Sequence, residues 1–262
     1  MILRGRAISP GRAEGSVVKV DEAFSFLGGV SGSTGDLNIG SKKNISGKVF
    51  VFPKGKGSTV GSFVVYDLMV HGKAPAAIIN REAETIVATG AVISSVPMVD
   101  SVDTDVIAEG DEIAVDGDEG TIEIKNARHV RVVSSAILVE GKILLLRRPA
   151  DAKSFPDAWS LVAGKIEPGE DPEQAARREI FEETQISVSD PDASVPPVYV
   201  REGDVIWEVF PFLYRLDKAD PMLNHENTDF IWAEVGDLKS KIPNTVPLTH
   251  KVVSEMLTSL KG

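Results

Sequence analysis

The stretch GKIEPGEDPEQAARREIFEETQI, Gly164–Ile186, carries seven acidic side chains and three basic ones. Like charges three and four residues apart oppose a helix, yet this segment reads as one. Asp171-Pro172-Glu173-Gln174 is a helix start: Asp171 caps, Pro172 suits the first helical position, and Gln174 completes a capping box. At ~100° per residue, Glu179, Glu182 and Glu183 fall in one wedge of about 100° that also contains the small Ala175. Ala176, Ile180 and Thr184 occupy the adjoining arc and are expected to face a core.

Two carboxylates about 4 Å apart repel by roughly 4 kcal/mol at an effective dielectric of about 20. Three of them on one helix edge therefore call for a cation. Oxygen donors without a neighbouring Cys or His suit Mg²⁺ or Mn²⁺ rather than zinc. Arg178, next to Glu179, is expected to orient that carboxylate from outside the metal shell.

Outward from this helix, SSAILVEGKILLLRR reads as a hairpin turning at Glu140-Gly141-Lys142. VPPVYVREGDVIWEVFPFLYRL reads as a second, longer hairpin, FIWAEV as a strand, and TVPLTHKVVSEMLTSL as a closing helix. Before "KNARHV" the pattern differs. KVFVFPKG is a strand entering a Gly/Lys loop, and GSFVVYDLMVHG has helical periodicity. Short apolar runs separated by Gly, Asp and Pro follow, as in a compact β-rich domain with a few helices. The boundary is placed so that residues 1–127 form one domain and 128–262 a second.

Composition narrows the function. With 262 residues, 42% hydrophobic and 26% charged, each half can bury a core. The net charge of −11 argues against general nucleic-acid binding, which needs Lys and Arg to neutralise phosphates. The lack of cysteine excludes disulfides, thiolate zinc sites and any iron–sulfur cluster ligated by this chain. No apolar run approaches the roughly 20 residues of a membrane span, and MILRGRAISPGRAEG offers no signal-peptide core. The expected location is the cytoplasm, with no membrane partner.

Gly164, Glu170, Arg178-Glu179-Ile180, Glu182-Glu183 and Ile186, at this spacing, resemble the Nudix box, and the similarity extends over residues 129–262. The resemblance implies an α/β/α sandwich around a mixed sheet. It also implies Mg²⁺- or Mn²⁺-dependent hydrolysis of a diphosphate bond in a nucleoside diphosphate derivative or related small molecule. Glu179, Glu182 and Glu183 would be the metal ligands, with Gly164 shaping the site, Arg178 orienting it and Glu170 assisting. The general base would be one of the box glutamates or a later carboxylate such as Glu226. Two positions depart from the pattern. Gln185 stands where a glycine would supply a left-handed cap, at a cost of about 1 kcal/mol, and Ala163 replaces a frequent second glycine.

In the first half, FPKGKGSTVGSFVVYDL sets a Gly/Lys/Ser loop between a strand and a helix, where backbone amides with Lys54 and Lys56 can receive an anion. GRAISPGRAEGSVVKVDEAFSFLGGV, GKVFVFPKGKGSTVGS and KAPAAIINREAETIVATGAVISSVPMVD, taken together, resemble the aconitase X swivel domain, the small-subunit component of phosphomevalonate dehydratases. The resemblance covers about residues 1–125, and GDLNIGSKKNISG carries least of it. It implies a β/β/α swivelling, barrel-like domain that docks on a large subunit carrying a [4Fe–4S] cluster. Ser58 would be the catalytic base beside Lys56 and Gly57, with Ser62 a second candidate and the Gly-rich stretch 26–35 a candidate interface. The alternative to a hydrolase is thus a hydro-lyase subunit of the mevalonate pathway, its Nudix unit a non-hydrolytic ligand sensor.

Other prominent residues receive structural readings. His71, His129, His225 and His250 lack ligand spacing. Trp159, Trp207 and Trp232 are expected in the core, although Trp207 or Phe212 is placed to stack on a base. Asp116-Gly117-Asp118-Glu119-Gly120 is expected to be a hairpin turn rather than a calcium loop.

Overall fold

The computed structural model describes residues 1–40, 42–240, 242 and 244–260. The chain forms two compact units: Met1–Arg128 with Gly203–Val205, and the remainder of the residues from His129 on.

The first unit contains β1 (Ile2–Arg4), β2 (Arg6–Ser9), β3 (Arg12–Lys19), β4 (Val49–Lys54), α1 (Gly61–Val70), β5 (Ala77–Glu82), α2 (Thr85–Ile93), β6 (Met98–Asp100), β7 (Glu112–Asp116) and β8 (Thr121–Ile124). Their order is β1-β8-β7-β3-β4-β5-β6-β2. The two end strands are consecutive in the chain, separated only by Gly5, so the sheet curls back on itself into a barrel-like unit. Gly5 makes that bend possible: its amide donates to Gly120 O, and a Cβ there would collide with the Asp100 carbonyl. Strands β3 to β6 run parallel. As expected of a parallel strand covered on both faces, Val49, Phe50, Val51 and Phe52 are all fully buried. Phe24 and Phe26 pack edge-on against Phe50, with centroids 5.0 and 6.1 Å away.

Asp116 turns the β7–β8 hairpin by accepting the amides of Asp118 and Glu119, as the sequence led us to expect. These backbone bonds, with Glu119 foremost, hold the Asp116 carboxyl below its ordinary range.

The second unit contains β9 (Arg128–Val139), β10 (Lys142–Arg147), β11 (Trp159–Ser160), β12 (Val162–Lys165), α3 (Pro172–Thr184), β13 (Ala193–Ser194), β14 (Val198–Glu202), β15 (Val205–Leu216), β16 (Asp229–Glu234) and α4 (Thr249–Ser259). Glu140 and Gly141, at φ 49° and 82°, form the turn between β9 and β10. Period-two alternation along β10 decides the layers. Leu144 and Leu146 share a core with Ala176 and Ile180 of α3, while Ile143 and Leu145 share another with Val252, Val253 and Met256 of α4. A mixed sheet between two helices results, the α/β/α arrangement anticipated from the sequence. Among the described residues no helix is long and apolar enough to cross a membrane.

Candidate active site

Helix α3 starts as proposed at Asp171 and Pro172, but the capping box is not formed. Asp171 Oδ1 accepts the Glu173 amide at 2.9 Å, and Gln174 stays exposed. The aspartate caps the second helical amide, and the Gln174 side chain makes no bond back to the Asp171 amide. Ala175, Ala176, Ile180 and Thr184 are buried as the wheel requires. The helix ends at Gln185, which adopts the left-handed conformation at φ 60°; its amide donates to Phe181 O. Glutamine thus takes the backbone a glycine would favour.

Strand β12 pairs with β9, Gly164 opposite Val133, and this seats Gly164 under α3. A Cβ built on Gly164 would fall inside the Glu179 carboxylate. Only glycine allows the buried Glu179 to occupy that place.

Arg178 gathers the carboxylates. Its Nε and Nη2 donate to both oxygens of Glu170 at 2.9 Å, and Nη1 donates to Glu179 Oε1 at 2.7 Å and Glu182 Oε2 at 3.1 Å. Nη2 also donates to Lys165 O at 3.0 Å. Arg178 holds the Glu170 carboxyl below its ordinary range. Glu179 goes the other way: burial outweighs Arg178 and raises its pKa. Glu183 is more extreme, pushed up to about 8 by burial and by Glu179. Among the described residues its one hydrogen-bonding side chain is the neutral Asn227, Nδ2 to Oε2 at 3.0 Å. The repulsion anticipated from the sequence is therefore relieved by Arg178 for Glu170, Glu179 and Glu182, and left standing at Glu183.

Asn227 went unnoticed in the sequence because it lies 44 residues from its partner. Its loop is tied to the end of α3 by Met222 and Asn224 amides, which donate to Thr184 and Glu183 carbonyls.

Glu179, Glu182 and Glu183 line a cavity of about 510 Å³ together with Gly164, Ala163, Arg148, Glu226 and Asn227. Glu226 forms no side-chain hydrogen bond or ion pair among the described residues. Trp207 also lines this cavity, whereas Phe212 is buried in the α3 core and is not available to stack on a base. Trp159 and Trp232 pack on the two cores.

Among the described residues no three His, Cys, Asp or Glu side chains converge on one point as they stand. The donor set nonetheless fits a divalent ion. Its groups are carboxylate oxygens, and Glu183 is a buried carboxyl whose charge lacks a counter-charge in contact, the situation a hard cation corrects.

In the first unit Ser58, Gly57 and Lys56 lie in the loop leaving β4. Gly57 has φ 109°, and a Cβ there would approach Ser25 Oγ to 2.6 Å, so both backbone and space require glycine. Ser58 is exposed, and its Oγ accepts the Val60 amide at 3.3 Å. Lys54 pairs with Glu82, while the Lys56 ammonium has no hydrogen-bond partner or ion pair among the described residues. Ser62 is buried and donates to Thr59 O at 2.9 Å. Ser58 is thus the accessible hydroxyl of the pair. Within the Gly-rich stretch 26–35, Phe26 and Val30 are buried and Leu27 is exposed.

Two domain classes account for these units, a swivelling β/α barrel-like domain and a sandwich bearing a carboxylate helix under a glycine strand. Residues 2–124 match the family model for the aconitase X swivel domain, and residues 128–255 match that for the NUDIX domain. The chain belongs to the aconitase X swivel family through its first half and carries a NUDIX domain in its second. The phosphomevalonate dehydratase small subunit of Thermococcus onnurineus is 49% identical over 129 residues, 48% of this chain and 99% of that protein. That of Thermococcus kodakarensis is 52% identical over 128 residues, 47% of this chain and 96% of that protein. These relatives therefore account for about half of this chain. The crystal structure of Thermococcus kodakaraensis aconitase X in its holo-form is 50% identical, with a TM-score of 0.47 over 48% of this chain and 98% of that one. A MutT protein from Methanosarcina mazei is 21% identical, with a TM-score of 0.48 over 53% of this chain and 99% of that one.

Proposed function

We propose that the NUDIX unit is a Mg²⁺- or Mn²⁺-dependent hydrolase that cleaves a diphosphate bond, in a nucleoside diphosphate derivative or related small molecule. The observation that carries this reading is the seating of Glu179 on Gly164 beside the buried Glu183, whose pKa is raised by burial and by Glu179, at the floor of a small-molecule-sized cavity. Glu179, Glu182 and Glu183 would hold the ion, which would supply positive charge to the diphosphate and a more acidic water. Arg178, clamped by Glu170, fixes Glu179 and Glu182. Asn227 orients Glu183. Glu226, with its carboxylate uncommitted at the cavity wall, is our candidate to take the proton of the attacking water. Purified full-length chain with Mg²⁺ should release phosphate products from a panel of diphosphates, and Glu182→Gln should lower that rate at least a hundredfold. Equal rates for both proteins would remove the reading.

A second role is supported in the first unit. Phe63, Tyr66 and Val70 are exposed along one side of α1, Phe63 at 67%, and Val60 just before the helix continues that side, which is the spacing of a helix face that packs on something. With the identity to dehydratase small subunits, this supports docking on a large subunit that carries the [4Fe–4S] cluster, with Ser58 as proton-abstracting base. Co-expression with a cysteine-bearing large subunit should yield a complex. Ser58→Ala should abolish its dehydration while leaving diphosphate hydrolysis unchanged.

A further inference from the structure

The cavity beside the carboxylate helix changes character across its width. Glu179, Glu182, Glu183, Arg148 and Glu226 make one side polar. The sheet side is mostly apolar, with Ser134, Ser160 and Lys165 as its polar contributions. Residues two apart on a strand share a face, so Val198 and Val200 of β14 and Trp207 and Val209 of β15 reach the cavity together, joined by Val132 of β9. Strand β15 pairs with both β9 and β14, which makes this a continuous wall of β-branched side chains with one ring. Val246, Leu248 and Val252 add further aliphatic surface.

We infer that the group attached to the diphosphate is a short hydrocarbon chain lying on this valine wall rather than a nucleoside. The inference rests on the hydrolase reading above and narrows its substrate class. Reading a nucleobase takes donors and acceptors opposite its edges as well as a stacking ring. The five wall residues carry no amide, carboxylate or hydroxyl, and the hydroxyls the sheet does bring to the cavity are those of Ser134 on β9 and Ser160 on β11. The Trp207 indole N–H is buried without a partner, so it does not reach the cavity as a donor. The nearby Thr249 hydroxyl already donates to Val246 O at 2.8 Å. What the wall offers a ligand is apolar area, and area rewards chain length, at about two- to fourfold in affinity per methylene buried.

The test uses the full chain with Mg²⁺ and non-hydrolysable alkyl methylenebisphosphonates of increasing chain length, titrated by calorimetry. Nucleoside methylenebisphosphonates serve as the competing class, and turnover of the corresponding diphosphates is measured in parallel. Affinity should climb about two- to fourfold per added methylene until the wall is covered. Val209→Thr, which keeps the volume and removes the apolarity, should flatten that climb, raising KM for longer chains with kcat little changed. Val200→Thr serves equally should the first variant fold poorly. A flat alkyl series, or nucleoside analogues binding more tightly than every alkyl one, overturns the inference. The two readings fail separately. A climbing series without turnover keeps the wall assignment and sinks the hydrolase, whereas turnover with a flat series does the reverse.

Discussion

The Glu179 carboxylate occupies the space that a side chain on Gly164 would need. The clash is with the end of a helix side chain rather than with helix backbone, so residue 164 controls where a buried carboxylate sits. Gly164→Ala should displace Glu179, break its 2.7 Å bond to Arg178 and lower diphosphate hydrolysis by tenfold or more. A circular dichroism spectrum like that of the wild type would show the fold intact. An alanine variant with wild-type kcat/KM would mean that the position of Glu179 does not matter to the reaction.

At the other end of α3, Gln185 sits at φ 60°, a backbone that glycine adopts without strain. Its side chain contributes one exposed hydrogen bond, Nε2 to Phe181 O at 3.1 Å. Gln185→Gly should therefore stabilise the second unit by about 0.5–1 kcal/mol. Urea denaturation should show a higher midpoint with an unchanged slope. A lower midpoint would show that the side-chain bond outweighs the backbone strain.

These two residues also mark how far sequence reasoning reaches. Gly164, the buried arc of α3 and the left-handed cap at Gln185 were legible because each rests on a local rule: helical period, cap geometry or the lack of a Cβ. Gln174 misled because the sequence pattern of a capping box does not ensure its return bond: Asp171 caps the Glu173 amide while the Gln174 side chain stays exposed. Phe212 lies five residues from Trp207 on one strand, so alternation alone puts the two on opposite faces, one to a core and the other to the cavity, and the two were never both available to one base. Asn227 and the valine wall were illegible for a different reason. They are assembled by pairings among distant strands and by a loop that returns to α3, and no single window of sequence contains them.

Arg178 makes a two-point contact to Glu170 and reaches Glu179, Glu182 and Lys165 O with the remaining donors. Lysine carries the charge but not the planar fork. Arg178→Lys should cost about 1–2 kcal/mol in stability and reduce hydrolysis, even with Mg²⁺ saturating. Full activity in the lysine variant would show that Arg178 supplies charge alone.

The pH dependence of the metal-free protein follows from Glu183. In the folded chain its carboxyl is pushed up to about 8, by burial first and Glu179 second. In the unfolded chain it titrates at about 4.3. Between those values the folded state holds a proton that the unfolded state has released, so stability falls as pH rises and levels off above about 8. Glu179, raised mainly by burial, acts in the same direction, while Glu170, lowered by Arg178, matters only at more acidic pH. Thermal melts in a chelator should show Tm declining from pH 5 to pH 8. Glu183→Gln, which removes the titration, should flatten this decline and raise Tm at pH 8. Mg²⁺ should flatten it too, because a cation beside the carboxylate favours the ionised form. A wild-type Tm that is level or rising across this window, and unaltered by Glu183→Gln, would mean that Glu183 meets more compensating charge than Asn227 and Arg148 provide.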